Sequence, residues 1–382
     1  MKYKIKKTTN LLIFFIITLI VLIIGIFSKS FPQILINIIK NSEENIKQSI
    51  VKEENFYTQN IYFKNIFLET YSAYAKVFDR RELNGVIKLN NSYLHIPNNV
   101  IKNLDNKVNN IIKLKESIDI PFVFVSMPDT ISKNTNLLPK SKNNHVDVQT
   151  DKIIDELKQN NVMCIDFRQD NIDTDFDYMY FKTDHHIKPL YAFDLYVNLL
   201  SEVENKLNIK VNDKFTNISN YNIKTYKDIF LGTAGKRTGR AFGGLDDFNL
   251  ISPKFNTSFK LNSSYGYFEG DYNKVFVDES FLVYNYYEIN VYKAYAGNVY
   301  TNMSVQNLNN DACDKNILII GDSSTMPTSC FMACAFKNIN VVDLRYQEDG
   351  FSLQDYINNI DPDIVIMQYS PMVLSDNKAF DF

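Results

Sequence analysis

Two short stretches of the sequence carry side chains that could do nucleophilic chemistry. The first is Gly321-Asp-Ser323, which directly follows the apolar run Ile317 to Ile320. Such a run is typical of a parallel strand with both faces covered, and the spacing beyond Pro327 predicts a helix. Ser323 would then stand at a helix N-terminus, where N–H groups favour developing negative charge. A capping role for Asp322 or Ser323 is the alternative.

The second stretch, Asp184-His-His186, comes shortly before Pro189, which suits the first turn of a helix. A histidine can act as a general base, and an adjacent carboxylate can fix its tautomer and stabilise the imidazolium. A serine hydroxyl needs such a base because it is a weak nucleophile at its own pKa. From the residues alone, metal ligation, as in a metal-dependent phosphoesterase, and a structural role remain open.

The elements that must position these side chains follow an α/β pattern. Helices and strands alternate between Ile101 and Asp166 and again after Cys313, which predicts a parallel sheet flanked by helices. Residues of about 208–312 interrupt this alternation with runs such as Lys274–Asp278 and Ser280–Tyr284, which predict a β-rich insertion. Within it, the glycine- and base-rich residues 231–240 predict a flexible loop facing the substrate.

Polar side chains collect at one edge of the predicted sheet. Arg345 and Tyr369 fall at the carboxyl ends of two further predicted strands, as Ser323 does at the first. Because ligands of open α/β sheets bind beyond these strand ends, the turn Asp184–His186 is a plausible neighbour of the same edge.

The N-terminus predicts a membrane anchor. Four lysines precede the apolar stretch Leu11 to Phe27, whose length of about 17 residues reaches the lower limit for crossing a bilayer. The basic flank should stay in the cytoplasm, which places the remainder outside the cell. We therefore expect a tail and single-pass anchor over residues 1–29, a helical stalk over 30–81 and an extracytoplasmic domain over 82–382. A cleaved signal peptide is the alternative.

Composition excludes some classes of partner. The 382 residues have a net charge of −3, so no basic field favours nucleic acid.

Disulfides are permitted outside the membrane but not required, and small buried thiols are the alternative for the chain's cysteines. None of them has the C-x-x-C spacing of a metal site. The four are Cys164, Cys313, Cys330 and Cys334.

Four motifs occur in order along the chain, namely Tyr180-x-x-Thr-Asp-His-His186, Tyr295-x-Gly-Asn298, Ile319-Ile-Gly-Asp-Ser323 and Val342-Asp-Leu-Arg-Tyr346. Together they resemble the DHHW family of bacterial proteins, which is related to the SGNH-type domains of the alginate O-acetyltransferases. The resemblance covers roughly Glu82 to Tyr369, and this chain departs from the family at Ile187, where Trp is expected. In this chain, as in the family, the Asp-x-His pair precedes the serine.

The resemblance implies an SGNH-hydrolase-like fold with a catalytic triad. Ser323 becomes the nucleophile that accepts the acyl group, His186 its general base and Asp184 the orienting acid. His185 takes the variable middle position as a hydrogen-bonded support. No cofactor or metal is implied.

Four residues are candidates for contacting the sugar or the oxyanion. Arg345 is the first of them, Tyr369 and Asn298 are weaker candidates, and His185 is the fourth.

The resemblance also implies an activity. We expect a membrane-anchored O-acetyltransferase that modifies a cell-surface polysaccharide through an acetyl-serine intermediate. Because no acetyl-CoA site is apparent, a separate membrane acyltransferase would pass on the acetyl group. A carbohydrate acetylesterase with the same triad and a non-catalytic glycan-binding scaffold are the alternatives. The scaffold predicts a separation between Asp184 and Ser323 too large for a relay.

Overall fold

The computed structural model describes residues 63–133, 135–140, 142, 144–168, 175–297 and 301–382. The chain divides into two compact units, Met1–Val77 and Phe78–Phe382. Helix α1 (Lys64–Val77) belongs to the first unit. The predicted membrane segment lies outside the described residues, and within the ranges given above no helix is long and apolar enough to cross a bilayer. The anchor and the stalk therefore stay predictions.

The second unit contains an eight-stranded sheet, a three-stranded sheet and a two-stranded sheet. The strands are β1 (Glu82–Leu83), β2 (Val86–Lys88), β3 (Leu94–His95), β4 (Phe122–Ser126), β5 (Met163–Asp166), β6 (Tyr221–Phe230), β7 (Asp246–Pro253), β8 (Phe259–Ser263), β9 (Gly266–Gly270), β10 (Asn302–Asn307), β11 (Cys313–Gly321), β12 (Phe336–Val342) and β13 (Ile364–Tyr369). The large sheet has the order β5-β4-β13-β11-β12-β10-β8-β9. Its first five strands are parallel and its last three pair antiparallel. The predicted α/β class with a mostly parallel sheet is confirmed.

Helices cover both faces of this sheet. In β11, Ile317 and Ile319 pack on one face and Leu318 and Ile320 on the other, because successive side chains of a strand alternate. The helices of this unit are α2 (Leu104–Ser117), α3 (His145–Gln159), α4 (Phe176–Met179), α5 (Pro189–Leu207), α6 (Thr233–Thr238), α7 (Arg240–Gly243), α8 (Tyr272–Phe276), α9 (Met326–Ala335) and α10 (Leu353–Ile360). The first face of the sheet packs against α5 and α9, and the second packs against α2, α3 and α10.

The segment of about 208–312 is β-rich as predicted, since it contains β6 to β10, but two runs predicted as strands in it have other conformations. Strands β8 and β10 extend the large sheet itself, while β6 and β7 pair separately. The predicted strand Lys274–Asp278 is wrong, since Tyr272–Phe276 is helical. The side chain of Asp271 accepts a hydrogen bond from the Lys274 amide and caps this helix, which overrides the alternating pattern. The predicted strand Ser280–Tyr284 is likewise wrong, because Glu279–Phe281 forms a 3₁₀ turn capped by Asp278.

The carboxyl ends of the parallel strands meet at one edge. Ile320 lies opposite Val342, and Gly321 lies opposite Gln368. Tyr369 in turn lies opposite Ser126. The turns that leave β11, β12 and β13 therefore start side by side, and the turn after β11 carries Ser323.

Candidate active site

Ser323 lies on a tight turn between β11 and α9. The Asp322 carboxylate accepts hydrogen bonds from the Ser324 amide at 2.7 Å and from the Ser370 amide and hydroxyl at 2.9 and 2.7 Å, and so ties this turn to the end of β13. A Cβ at Gly321 would lie 2.3 Å from Thr325 Cγ2, so the turn needs glycine. Asp322 is thus the cap, and Ser323 is left half-buried with its hydroxyl available to other partners.

The turn before α5 brings a histidine and a carboxylate to this serine. His186 Nε2 lies 2.8 Å from Ser323 Oγ, and His186 Nδ1 lies 2.5 Å from Asp184 Oδ1. The same carboxylate oxygen accepts the backbone N–H of His186 at 3.0 Å. A continuous chain of hydrogen bonds therefore runs from a buried carboxylate through an imidazole to a hydroxyl. This arrangement allows the ring to accept the hydroxyl proton while the carboxylate stabilises the charged ring.

The electrostatics favour an ionised Asp184. Burial acts to raise the pKa of this carboxyl group. The charges of His185 and His186 and the hydrogen bonds from the His186 ring and the Thr233 amide outweigh burial, and hold the pKa well below its ordinary value. A charged acceptor therefore faces Nδ1 of His186 at neutral pH, which leaves Nε2 free to act as a base toward Ser323.

The glycine- and base-rich stretch holds Asp184 in place, contrary to the prediction of a flexible loop. Residues 231–240 contribute to the short helices α6 and α7. The Thr233 amide donates to Asp184 Oδ2 at 2.5 Å. The Gly232 and Gly235 amides donate to Thr183 Oγ1 and Thr183 O, both at 2.9 Å. The glycine spacing is visible in the sequence. The contact that it serves, between Thr233 and Asp184, joins residues 49 positions apart and could not be identified from that spacing.

Substitution of Gly232 should damage the site directly. A Cβ at this position would lie 2.2 Å from Asp184 Cβ and 2.5 Å from Asp184 Oδ2. Because neither backbone can yield without breaking the Thr233 contact, we expect Gly232→Ala to lower the free energy of unfolding by about 1–3 kcal/mol. The reactivity of Ser323 toward p-nitrophenyl acetate should fall with it. Thermal unfolding and hydrolysis of p-nitrophenyl acetate measure the two effects.

Gly85→Ala provides the matched control. Gly85 has φ +73° but no atom within 4 Å of its would-be Cβ, so the substitution strains the backbone without a clash. It should cost about 1–2 kcal/mol and leave hydrolysis unchanged. If Gly232→Ala were as active as Gly85→Ala, the close packing of Gly232 on Asp184 would have no functional importance.

Tyr292 is a site residue that no pattern in the sequence indicates. Its ring stacks on that of His186 with centroids 4.1 Å apart and planes 22° apart. The ring is buried and also meets Phe181 edge-on. Burial raises the pKa of Tyr292, so the hydroxyl stays protonated. No short-range pattern marks this residue, because it lies in the irregular segment more than a hundred positions after His186. Its ring restricts the imidazole to one plane.

His185 lies beside the relay without completing it. Its ring centroid is 3.9 Å from that of His186, and its Nδ1 is 3.6 Å from Asp184 Oδ1. This Nδ1 is buried and has no hydrogen-bond partner among the described groups, so the predicted hydrogen-bonded support is not seen. Burial and the neighbouring His186 lower the pKa of His185 from 6.5 to about 4.

The pKa shift of His185 should make the folded state acid-sensitive. Below pH 6.5 the unfolded chain takes up a proton at His185 that the folded chain accepts only near pH 4, so the free energy of unfolding falls across this window. The side chain is 26% exposed, and solvent should reduce the effect to about 1–2 kcal/mol. We expect His185→Gln to lose less stability than the wild type between pH 7 and 4 in denaturant titrations. Equal losses would contradict this assignment.

The other predicted contact residues have different positions. The Arg345 guanidinium makes a two-point ion pair with Asp343, through Nε at 2.9 Å and Nη2 at 2.6 Å. The Tyr369 hydroxyl donates to the Ala379 carbonyl oxygen at 2.8 Å inside the core. The Arg345 guanidinium and the Tyr369 hydroxyl thus have partners outside the relay, and Tyr369 contributes to packing of the core. Asn298 lies outside the described residues.

The metal alternative can be compared with the same geometry. The ligand atoms of Asp184, His185 and His186 all lie within 4.8 Å of one another, so the three could approach a cation. However, Nδ1 of His186 is engaged with Asp184, and Nε2 is engaged with Ser323. Ligation through either nitrogen would break one of these contacts. The observed arrangement suits proton transfer better than ligation.

The four cysteines, Cys164, Cys313, Cys330 and Cys334, are free thiols.

Solved structures resemble this chain over most of its length. A DHHW family protein from Eubacterium siraeum matches with a TM-score of 0.60 and 18% identity, over 78% of this chain and 94% of its own. Bacillus cereus PatB1 with a sulfonyl adduct matches with a TM-score of 0.63 and 17% identity, over 78% and 98%. The fold is the same. The predicted relation to the DHHW family is thus confirmed at the level of the fold.

The O-acetyltransferase domain of Pseudomonas putida AlgJ is a more remote match, with a TM-score of 0.44 and 12% identity over 76% of this chain and 92% of its own. No family profile matches the sequence. No curated protein matches it either.

Proposed function

We propose that this protein is a serine O-acetyltransferase that carries an acetyl group on Ser323 and transfers it to a hydroxyl of a cell-surface polysaccharide. The observation that carries the proposal is the hydrogen-bonded chain Asp184–His186–Ser323, in which the ring nitrogen lies 2.8 Å from the hydroxyl. The acetyl group and the polysaccharide are assigned as substrates because the chain shares motifs with the DHHW family and the alginate O-acetyltransferases. The shared fold supports the same assignment.

The first half-reaction follows from the geometry. Ser323 Oγ attacks the acetyl carbonyl carbon while His186 Nε2 takes the hydroxyl proton, and the carbonyl oxygen becomes an oxyanion. We assign the Ser323 amide, at the start of the turn, as a donor to this oxyanion, where one donor contributes on the order of 3 kcal/mol. When the tetrahedral intermediate collapses, the bond to the leaving alcohol breaks and His186 returns the proton to it. Ser323 then carries the acetyl ester.

The second half-reaction repeats these steps with an acceptor. His186 removes the proton of a sugar hydroxyl, the hydroxyl oxygen attacks the acetyl ester, and Ser323 recovers its proton as it leaves. If water attacks instead, the same residues form an acetylesterase. The non-catalytic scaffold required a large separation between Asp184 and Ser323, whereas His186 bridges the two by direct contacts.

The cellular setting of the proposal rests on the sequence. Leu11 to Phe27 would hold the domain on the outer face of the membrane as a single-pass anchor. Acetyl-CoA is cytosolic, so a membrane acyltransferase would supply the acetyl group from the other side. The chemistry on Ser323 does not depend on the identity of this donor.

The proposed function is tested by separating transfer from hydrolysis. The full chain is incubated with p-nitrophenyl acetate in the presence and absence of purified cell-wall glycan. A transferase should place acetyl esters on the glycan and release less acetate for each nitrophenol formed. Release of acetate in equal amount to nitrophenol, with unmodified glycan, would show an esterase instead. Absence of nitrophenol release above that of Ser323→Ala would contradict both.

A further inference from the structure

A cleft opens at the same edge of the sheet as Ser323. It has a volume of about 420 Å³ and lies beyond the ends of β12 and β10. Strand β12 pairs with β11 on one side and β10 on the other, and Asn302 at the start of β10 lies opposite Val342 at the end of β12. Neighbouring strands are about 5 Å apart, so the cleft begins roughly 5–10 Å along the edge from the nucleophile turn.

The loop after β12 forms one wall of this cleft and is fixed to the sheet. The Gln347 side-chain amide donates to the Thr301 and Asp343 carbonyl oxygens at 3.1 and 2.8 Å. The Asp343 amide donates to the same Thr301 oxygen at 2.9 Å. The cleft is therefore held by hydrogen bonds between two strand ends. Its described lining consists of Ser264, Thr301, Asn302, Tyr346, Gln347, Glu348, Asp349, Gly350 and Phe351.

The lining combines an aromatic surface with hydrogen-bonding groups. Tyr346 is 63% exposed, and the Arg345 guanidinium lies 5.5 Å from the centre of its ring and steadies it. Phe351 adds a second, half-buried ring. Sugar rings present apolar C–H faces and hydroxyl edges, and an aromatic ring beside polar side chains matches both.

The charge of the lining selects among sugars. Two of the nine lining residues named above, Glu348 and Asp349, are acidic, and none of them is basic. The nearby Arg345 is neutralised by its ion pair with Asp343. A polymer of uronic acids would place carboxylates against these two side chains without a free cation among the lining residues to compensate. Neutral sugars and amino sugars meet no such repulsion.

We propose that this cleft binds the acceptor as a chain of several neutral or amino sugars, with the reacting unit at Ser323 and the following units stacked on Tyr346. The inference rests on the proposed function and specifies its substrate as a polymer that is not a polyuronate. A single sugar would reach Ser323 without contacting Tyr346, so binding should strengthen as the chain lengthens.

The test measures binding separately from chemistry. Affinities of the full chain carrying Ser323→Ala are measured for chito-oligosaccharides from the disaccharide to the hexasaccharide, and for oligogalacturonates of equal length. We expect affinity to rise with chito-oligosaccharide length, and the oligogalacturonates to bind more weakly. Adding Tyr346→Ala should weaken hexasaccharide binding by about fivefold or more, as for a central aromatic contact. The double substitution Glu348→Gln and Asp349→Asn should reduce the difference in affinity between chito-oligosaccharides and oligogalacturonates.

Tyr284→Ala is the matched control. Tyr284 is also 63% exposed, but its hydroxyl contacts the Lys227 carbonyl oxygen on β6, away from the large sheet. It should leave hexasaccharide binding unchanged. Tyr346→Ala should keep the melting temperature of the parent protein, because the ring is 63% exposed, and this shows that the fold persists. Unchanged hexasaccharide binding in Tyr346→Ala, or tighter binding of oligogalacturonates by the wild-type cleft, would overturn the proposal. Loss of nitrophenyl acetate hydrolysis in Ser323→Ala tests only the proposed function.

Discussion

Ser323→Ala should lower acetyl-ester turnover by at least about 10³-fold while leaving the fold intact. The substitution removes the hydroxyl oxygen that lies 2.8 Å from His186 Nε2 and that the relay would activate. The residue is half-buried and its hydroxyl caps nothing, since the cap is Asp322. The melting temperature should therefore change little. Steady-state hydrolysis of p-nitrophenyl acetate and thermal unfolding measure both quantities.

Ser324→Ala is the matched control for this substitution. Ser324 is the next residue on the turn, and its buried hydroxyl has no hydrogen-bond partner among the described groups. The backbone N–H of residue 324, which donates a hydrogen bond to the Asp322 carboxylate, is kept in the variant. Turnover should remain near that of the wild type. If Ser324→Ala were inactive and Ser323→Ala active, the assignment of the nucleophile would be wrong.

Asp184→Asn should lower kcat by about 10³- to 10⁴-fold, because an amide no longer fixes the tautomer or stabilises the charged ring of His186. Both carboxylate oxygens accept backbone N–H groups, Oδ1 from His186 and Oδ2 from Thr233. An asparagine has only one acceptor oxygen, so one of these donors would face an amide NH₂. We therefore also expect a loss of about 1–3 kcal/mol in the free energy of unfolding.

Asp363→Asn separates the two effects. This carboxylate also accepts a backbone N–H, from Asn316 at 2.8 Å, and an ammonium group, from Lys315 at 2.6 Å. It directly precedes β13, at the edge of the sheet opposite to Ser323. The variant should lose stability and keep its kcat. If Asp184→Asn lost no more activity than Asp363→Asn at equal stability, the role of Asp184 in the relay would be refuted.

Short-range patterns predicted the scaffold well because burial and strand periodicity are local. The run Ile317 to Ile320 is covered on both faces, as its lack of polar residues indicated. The helix after Pro189 and the turn after Gly321 also begin where their residues predicted. The segment Lys274–Asp278 failed because Asp271, outside the alternating run, caps a helix.

Contacts between distant residues could not be predicted in the same way. Gly232 is needed because its backbone passes against Asp184, and Tyr292 matters because its ring lies on His186. Neither requirement leaves a mark in the neighbouring sequence. Tyr369 illustrates the reverse case. Its position at a strand end suggested a role at the site. The side chain instead points into the core, where its hydroxyl donates to the Ala379 carbonyl oxygen.

The most direct test of the account is to locate the acetyl group on the enzyme. The full chain is mixed with p-nitrophenyl acetate without glycan, quenched in acid and digested, and the peptides are analysed by mass spectrometry. We predict one hydroxylamine-sensitive acetyl ester, on Ser323, which disappears when glycan is added before the quench and is absent from Ser323→Ala. An acetyl group on another residue that turns over at the rate of the reaction, or turnover that persists in Ser323→Ala, would contradict the account.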